Sequence, residues 1–167
     1  MFADAAQLPL ADSSADAVLL LEVLEHVEQF EQVLAEIQRI LKADGELYLS
    51  APFIYPAHDV PYDFHRFTRH GLVKDLARHG LNVVTIKQHG NSFVVALQML
   101  NLSLLEQVKK TMDCSSVMGL LLAIFCYPLC ITINLLALLL LGLNNSNAAV
   151  FGHFVVARPV RPQCESN

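Results

Sequence analysis

The side chains of this chain that could do chemistry concentrate in two short stretches, each of which follows an apolar run. The first stretch, Glu22 to Val27, reads EVLEHV and places His26 among carboxylates. An imidazole titrates near neutral pH, so His26 is a candidate catalytic residue that would accept a proton from a hydroxyl acceptor. The alternative interpretation is that His26 only packs or caps at the start of a helix.

The second stretch, residues 52–68, reads PFIYPAHDVPYDFHRFT. Its three prolines prevent regular structure, which predicts a loop. Because it follows a strand, we expect it to cover the substrate side as an active-site lid. Its candidate acceptor-binding residues are His58, Tyr62, His65 and Arg66.

The same loop carries enough histidines and aspartates to raise a metal hypothesis. His58, Asp59, Asp63 and His65 supply suitable ligand atoms, but their spacing fits no strong zinc template. A simple ion pair between Asp63 and Arg66, which would order the loop, is the preferred interpretation. No metal site is therefore predicted.

Three elements must position these two stretches. Apolar runs at residues 17–21 and 47–51 predict strands, and residues 30–41 between them predict an amphipathic helix with acidic, solvated first turns. Asp44-Gly45 is predicted to stop the helix, with Gly45 in the left-handed conformation. A strand, helix and strand of this length predict a βαβ unit with parallel strands. Ligands in such sheets bind beyond the carboxyl ends of the strands, which places Glu22 and residues 51–53 on one rim.

This segment also resembles a known family, the class I S-adenosylmethionine-dependent methyltransferases. That family shows an aspartate and a small residue, then LPF, a strand entering EVLEHV, a helix ending in RVLKPGG, and a strand closing in S-x-P. The residues that match are Asp4-Ala5, Leu8-Pro9-Leu10, Glu22 to Val27, Arg39 to Gly45, and Ser50 to Pro52. Ala43-Asp44 departs from the usual Pro-Gly. Pro61, Asp63, Arg66, Phe67 and Thr68 match a P-x-D-x-x-R-[FY]-T segment of one branch.

The resemblance implies S-adenosylmethionine as the cofactor and assigns roles to particular residues. The Asp4 carboxylate would accept a hydrogen bond from the adenine amino group, and the Ala5 backbone would contact the ring. Asp4 as a solvated carboxylate is the alternative. The cofactor would also contact the residues at the first strand's end, which are Leu21, Glu22 and Val23. His26 would face the active site.

One expected motif is missing. The family binds the methionine end of its cofactor with a glycine-rich turn, yet the 7 glycines of this chain form no G-x-G. The predicted fold is therefore α/β, a partial Rossmann-like methyltransferase sheet. It keeps the family's strands in the order 4-5-7-6, lacks the first two βα units, and carries an apolar helical insertion. We expect an N-terminally truncated chain with reduced cofactor affinity, whose first strand is an exposed edge.

The predicted organisation is a partial methyltransferase core at 1–90, a helix at 91–116, an apolar helical segment at 117–143, a final strand at 148–158 and a disordered tail at 159–167. The apolar segment has no charged residue and is long enough to span a membrane. It is one kinked transmembrane helix, an in-plane anchor or shallow hairpin broken at Pro128, or a buried helix. Because the final strand returns to the sheet, both ends of the insertion must lie on one side of a membrane, which favours a re-entrant or monotopic anchor.

Composition narrows the class of protein. The chain has 167 residues, 54% of them hydrophobic, and a formal net charge of −5 without a basic stretch, which argues against nucleic acid as a partner. The prediction is a membrane-associated methyltransferase that acts on a small or lipid-like acceptor, with its catalytic remnant on the cytoplasmic side. A non-catalytic, membrane-anchored remnant is the alternative. The acceptor atom and the oligomeric state stay open.

Overall fold

The structure is a computed structural model that describes residues 3–142 and 148–160. It divides into two compact units, of which the first contains Met1–His89 and Phe151–Asn167, and the second contains Gly90–Val150. We call them the sheet unit and the helical unit. Most of the predicted tail, residues 161–167, and the end of the predicted apolar segment, Leu143, lie outside the described residues.

The sheet unit contains a four-stranded sheet in the order β1-β2-β4-β3. β1 pairs parallel with β2, whereas β4 pairs antiparallel with both β2 and β3. This is the predicted 4-5-7-6 arrangement, with β1 at an edge. The elements are β1 (Ala15–Leu21), a 3-10 turn (Leu24–His26), α1 (Phe30–Ile40), β2 (Leu41–Pro52), α2 (Arg69–Arg78), β3 (Leu81–His89) and β4 (Gly152–Pro159).

Helix α1 supplies one wall of the core, because its apolar residues recur at helical spacing. Val33, Leu34 and Ile37 are buried and form a cluster with Leu47 and Leu49 of β2. In the same register, Leu20 of β1 pairs with Leu49, which places the two parallel strands side by side as predicted.

The predicted end of the first helix is wrong. Helix α1 ends at Ile40, and Leu41 is already extended with φ −68° and ψ 135°. Gly45 is not left-handed; it lies where β2 bulges against β1, and an added Cβ would be 3.0 Å from the Ala15 carbonyl oxygen. The glycine therefore permits a close backbone approach rather than a helix cap.

The ends of α2 follow their sequence signals. The Thr68 side chain accepts the Gly71 N–H at 3.0 Å, so Thr68 is the N-cap, as expected for a threonine before a helix. After the helix, Gly80 takes φ +69°, which a glycine adopts without strain.

The final strand begins later than predicted and ends one residue later. β4 starts at Gly152 rather than at residue 148, because Gly152 pairs with Pro52 and His89, the last residues of β2 and β3. The described residues before Gly152 lie beyond the ends of both neighbouring strands. An added Cβ at Gly152 would lie 2.5 Å from the Ala51 carbonyl oxygen.

The helical unit contains α3 (Ser92–Cys114) and α4 (Ser116–Leu141), joined at Ser115. The side chain of buried Asn101 donates to the Asn134 side chain at 2.9 Å, which links the two helices. A predicted break at Pro128 is wrong, because α4 runs through it without interruption. A proline removes one N–H from a helix, and a long helix with intact neighbouring turns tolerates this loss.

Candidate functional site

The carboxyl end of β1 forms a strained elbow. Glu22 has φ +51°, a left-handed conformation that is uncommon for a residue with a side chain. Its N–H reaches both the carbonyl oxygen and the hydroxyl oxygen of Ser50, each at 3.1 Å. The neighbouring strand thus fixes the point where the chain leaves the sheet, and Leu21, Glu22 and Val23 are exposed there.

The loop between β2 and α2 is attached to this elbow. The N–H groups of Phe64 and His65 both donate to the Glu25 carbonyl oxygen, at 2.8 and 3.2 Å. His65 Nε2 lies 3.1 Å from the Glu28 carbonyl oxygen, and the Phe67 N–H donates to the Pro52 carbonyl oxygen. These contacts hold the predicted lid against the elbow.

Elbow, loop and strand ends surround a cavity of about 360 Å³. Of the predicted site residues, Glu22 and His58 line it. Among the described residues, the other predicted site residues do not line it, namely Asp4, Ala5, Leu21, Val23, His26, Tyr62, His65 and Arg66. The remaining lining residues are Pro52, Tyr55, His89, Phe151 and Gly152.

His26 lies beside this cavity with a defined proton arrangement. Its Nδ1 is 2.6 Å from the Tyr62 carbonyl oxygen. A carbonyl can only accept, so Nδ1 carries a hydrogen, and in the neutral ring Nε2 then has the lone pair. The His58 ring packs against the His26 ring edge to face, with 4.8 Å between their centroids. The predicted His26, His58 and Tyr62 are therefore brought together.

Sequence reasoning missed Glu25. It was expected to be solvated, yet its side chain is fully buried, and neither carboxylate oxygen accepts a hydrogen bond from any described residue. Burial raises the pKa of Glu25, and the nearby Glu22 charge adds to that shift. Its position within EVLEHV could not reveal this, because the covering loop arrives from residues 52–68.

Arg66 and Asp63 pair within the loop, as the sequence suggests. Two guanidinium nitrogens of Arg66 donate to Asp63 at 2.5 and 2.7 Å, and the His58 N–H donates to the same carboxylate at 2.9 Å. The Arg66 hydrogen bonds hold the pKa of Asp63 well below its usual range. Arg66 therefore orders the loop, and through Asp63 it orients His58.

Asp4 and Ala5 lie in a tight turn, because Asp4 Oδ1 accepts the Ala6 N–H at 2.9 Å and Asp4 forms an isolated bridge with Gln7. Among the described residues, no named strand pairs with this segment. Ala5 packs partly against the sheet core. Their role as cofactor contacts stays a prediction.

A second buried polar residue was not predicted. His153 lies in β4 beside Ala51, stacks on Phe53 at 6.0 Å between ring centroids, and neither of its ring nitrogens has a hydrogen-bond partner among the described residues. Burial lowers the pKa of His153, so it stays neutral. It sat inside an apparently apolar strand, where a single histidine gives no signal.

Comparison with protein families gives one match, to a methyltransferase domain over residues 1–49. No curated protein matches the sequence. Many solved structures share the fold, with 175 matching chains. The matched segment contains the elbow, α1 and most of β2.

Three of these structures illustrate the likeness. The cyclase SpnF aligns with TM-score 0.56 at 18% identity, over 95% of this chain and 55% of its own. A 1,6-didemethyltoxoflavin-N1-methyltransferase from Burkholderia thailandensis, solved with bound 1,6-didemethyltoxoflavin and S-adenosylhomocysteine, gives 0.53 at 13%, over 95% and 49%. A methyltransferase from Methanosarcina mazei gives 0.52 at 13%, over 96% and 66%. The chain thus spans about half to two thirds of these proteins.

Proposed function

We propose that this chain is a class I S-adenosylmethionine-dependent methyltransferase, in which the Glu22 elbow contacts the cofactor while His26 and the loop form the acceptor side. The match of residues 1–49 to a methyltransferase domain and the shared fold support this proposal. S-adenosylmethionine is the cofactor of this family, in agreement with the prediction. When bound, it supplies an electrophilic methyl group on a sulfonium. The proposed acceptor is a small or lipid-like molecule.

The observation that carries this proposal is the Glu22 elbow. A left-handed glutamate held by Ser50 at the end of a parallel strand is backbone strain in the place where such sheets bind ligands. Glu22 lines the cavity, and a carboxylate can accept hydrogen bonds from a polar ligand. The residues present fit a cofactor in part, since the glycine-rich turn that holds its methionine end does not occur in the sequence.

His26 and the loop would handle the acceptor. His26 Nε2 has a free lone pair and can take the proton that a hydroxyl or amine acceptor loses as its bond to the methyl group forms. His58 reaches the cavity, and Tyr62, His65 and Arg66 shape the loop around it. Positioning of the reactants supplies much of the rate acceleration in such transfers. A well-ordered loop would therefore aid catalysis even if His26 only orients the acceptor.

Calorimetry with S-adenosylhomocysteine tests this proposal on the full chain in detergent. We expect saturable binding that Glu22→Gln weakens about tenfold or more, as for loss of a charged hydrogen bond. The matched control is Glu31→Gln, an exposed carboxylate on α1. Millimolar or absent binding by the wild type would contradict the catalytic proposal.

The second candidate function is a non-catalytic, membrane-anchored remnant. One observation favours it, which is that the sequence contains no G-x-G. The fold itself does not decide, since it also occurs in a protein described as a cyclase. A fold hosts several chemistries, so fold likeness does not fix the reaction.

Membrane association is a separate part of the proposal and rests on α4. It is the one helix among the described residues that is long and apolar enough to cross a membrane, with a mean hydropathy of 2.4. Its large apolar side chains, among them Phe125 and Leu139, are exposed within the structure. Since α3 and α4 connect the neighbouring strands β3 and β4, a monotopic or re-entrant anchor fits better than a single crossing. The cytoplasmic side stays a prediction.

A further inference from the structure

Three potential ligand residues converge at the elbow. One ligand atom each from Glu25, His26 and His58 can be chosen so that all lie within 4.8 Å of one another. Glu25 Oε1 is 3.8 Å from His26 Nε2. Ligand atoms around a four-coordinate zinc lie about 3.4 Å apart for bonds of about 2.1 Å. The separations between these atoms would therefore have to shorten by up to about 1.4 Å for a bound ion.

The buried Glu25 carboxylate points independently to a ligand. Its backbone carbonyl is satisfied by Phe64 and His65, whereas both side-chain oxygens are buried and accept no hydrogen bond from the described residues. Buried carboxylates almost always have a partner, because an unpaired one is strongly disfavoured. A cation between Glu25 and the two imidazoles would supply that partner.

Both imidazoles are held in the way that metal-binding histidines are held. His26 Nδ1 donates to the Tyr62 carbonyl, which leaves the Nε2 lone pair free. His58 Nδ1 is 3.3 Å from the Pro56 carbonyl oxygen and 3.5 Å from Asp63 Oδ2. Histidine ligands of metals commonly donate their second N–H to a carbonyl or carboxylate, which orients the ring and raises its basicity.

We propose that Glu25, His26 and His58 bind one divalent transition-metal cation, of the Zn²⁺ class, at the elbow. Two imidazoles and one carboxylate suit zinc and its neighbours, whereas calcium and magnesium prefer sites built of oxygen. Three protein ligands leave a coordination position open for water or an acceptor. The exposed Asp59, with Oδ2 at 4.0 Å from His26 Nε2, adds negative charge at the entrance.

Metal binding does not require methyl transfer, but its use rests on the proposed function. A bound Zn²⁺-class ion lowers the pKa of a coordinated hydroxyl, so the acceptor would lose its proton at the metal. His26 would then act as a ligand rather than as the general base.

The test uses the full chain in detergent, stripped with a chelator and titrated with Co²⁺ as the probe. We expect visible absorption bands that saturate at one equivalent and disappear when Zn²⁺ is added. Glu25→Gln and His58→Ala should each weaken Co²⁺ binding about 100-fold or more. Loss of a residue that only hydrogen-bonds to a metal ligand typically weakens metal binding by about 10- to 100-fold. His70→Ala, which removes an exposed histidine of α2, should bind like the wild type.

Glu25→Gln keeps the shape of the side chain and removes the buried charge, so circular dichroism should show it folded. Asp63→Asn, which removes the charge that faces His58 and also weakens the pair with Arg66, should weaken Co²⁺ binding about tenfold or more. Glu25→Gln binding as tightly as the wild type, or a wild type without saturable Co²⁺ bands, would overturn the proposal. Calorimetry with S-adenosylhomocysteine on the same samples separates this outcome from failure of the proposed function.

Discussion

The sheet unit and the helical unit differ in which groups they leave without partners. In the sheet unit, apolar side chains such as Leu47 and Leu49 are fully buried, while the polar atoms of Glu25 and His153 are buried without hydrogen bonds among the described residues. In α4 the reverse holds, because apolar side chains such as Phe125 are exposed. The buried polar atoms of the first unit would be stabilised by a polar ligand. The exposed apolar side chains of α4 would be stabilised by an apolar surface.

The largest effect is expected where α4 meets its apolar environment. Phe125 and Leu139 are 73% and 77% exposed, so Phe125→Asp with Leu139→Asp should leave the fold intact. Each aspartate is disfavoured in hydrocarbon by about 2.5 kcal/mol or more, so liposome binding measured by flotation should fall about 100-fold or more. The matched control is Leu19→Asp on β1, where Leu19 is 70% exposed. Equal loss in the control would remove the contrast between the two units.

Burial in the sheet is tested by two leucines on neighbouring strands. Leu49→Ala should lower the free energy of unfolding by about 2–5 kcal/mol, since Leu49 is fully buried beneath α1. Leu19→Ala, at the exposed edge, should change it by less than about 0.5 kcal/mol. Urea unfolding followed by circular dichroism measures both values. Similar losses would mean that the β1 edge is covered in solution.

Close packing inside the helical unit gives the next effect. An added Cβ at Gly119 would lie 2.5 Å from Met112 Cα, whereas no atom of the described residues lies within 4 Å of one at Gly142. Gly119→Ala should therefore destabilise the helix pair by about 1–3 kcal/mol, and Gly142→Ala should not destabilise it. The helical signal at 222 nm during detergent-solubilised thermal unfolding reports both variants. A stable Gly119→Ala would show that α3 and α4 are not in this close contact.

The smallest effect concerns the buried Glu25 in the absence of divalent cations. Burial raises the pKa of Glu25 in the folded chain above the ordinary value of 4.5. As pH rises through 4.5, the unfolded chain loses this proton while the folded chain keeps it. The free energy of unfolding therefore falls between pH 4.5 and the raised pKa. Glu25→Gln lacks this fall. Near pH 7.5 the variant should be more stable by about 1 kcal/mol, with no such gain near pH 4. Urea titrations with a chelator at both pH values give the difference.

The elements of the sheet could be predicted because their signals are local, whereas the place of β4 between β2 and β3 was implied by the family resemblance. The apolar runs, the amphipathic stripe of α1 and the caps at Thr68 and Gly80 each act within a few residues. The parallel pairing of β1 with β2 then follows from chain length and handedness.

What could not be predicted depends on contacts between distant residues. The burial of Glu25 depends on a loop that arrives from residues 52–68. The start of β4 at Gly152 depends on where β2 and β3 both end. Gly45 looked like a helix stop, yet its role is set by Ala15 across the bulge. The spacing of residues in the sequence could not predict the group of Glu25, His26 and His58 for the same reason. His58 comes close to the other two only in the folded chain.

The helical unit is an insertion between β3 and β4 that can be deleted without cutting either strand. His89 pairs with Gly152 at the mouth of the insertion, and the Phe151 N–H donates to the His89 carbonyl oxygen at 2.9 Å. Adjacent antiparallel strands joined at such a point can be connected by a two-residue Asn-Gly turn. A recombinant version with this turn in place of residues 90–150 would test cofactor and Co²⁺ binding without detergent. The deletion leaves the order and direction of the strands unchanged.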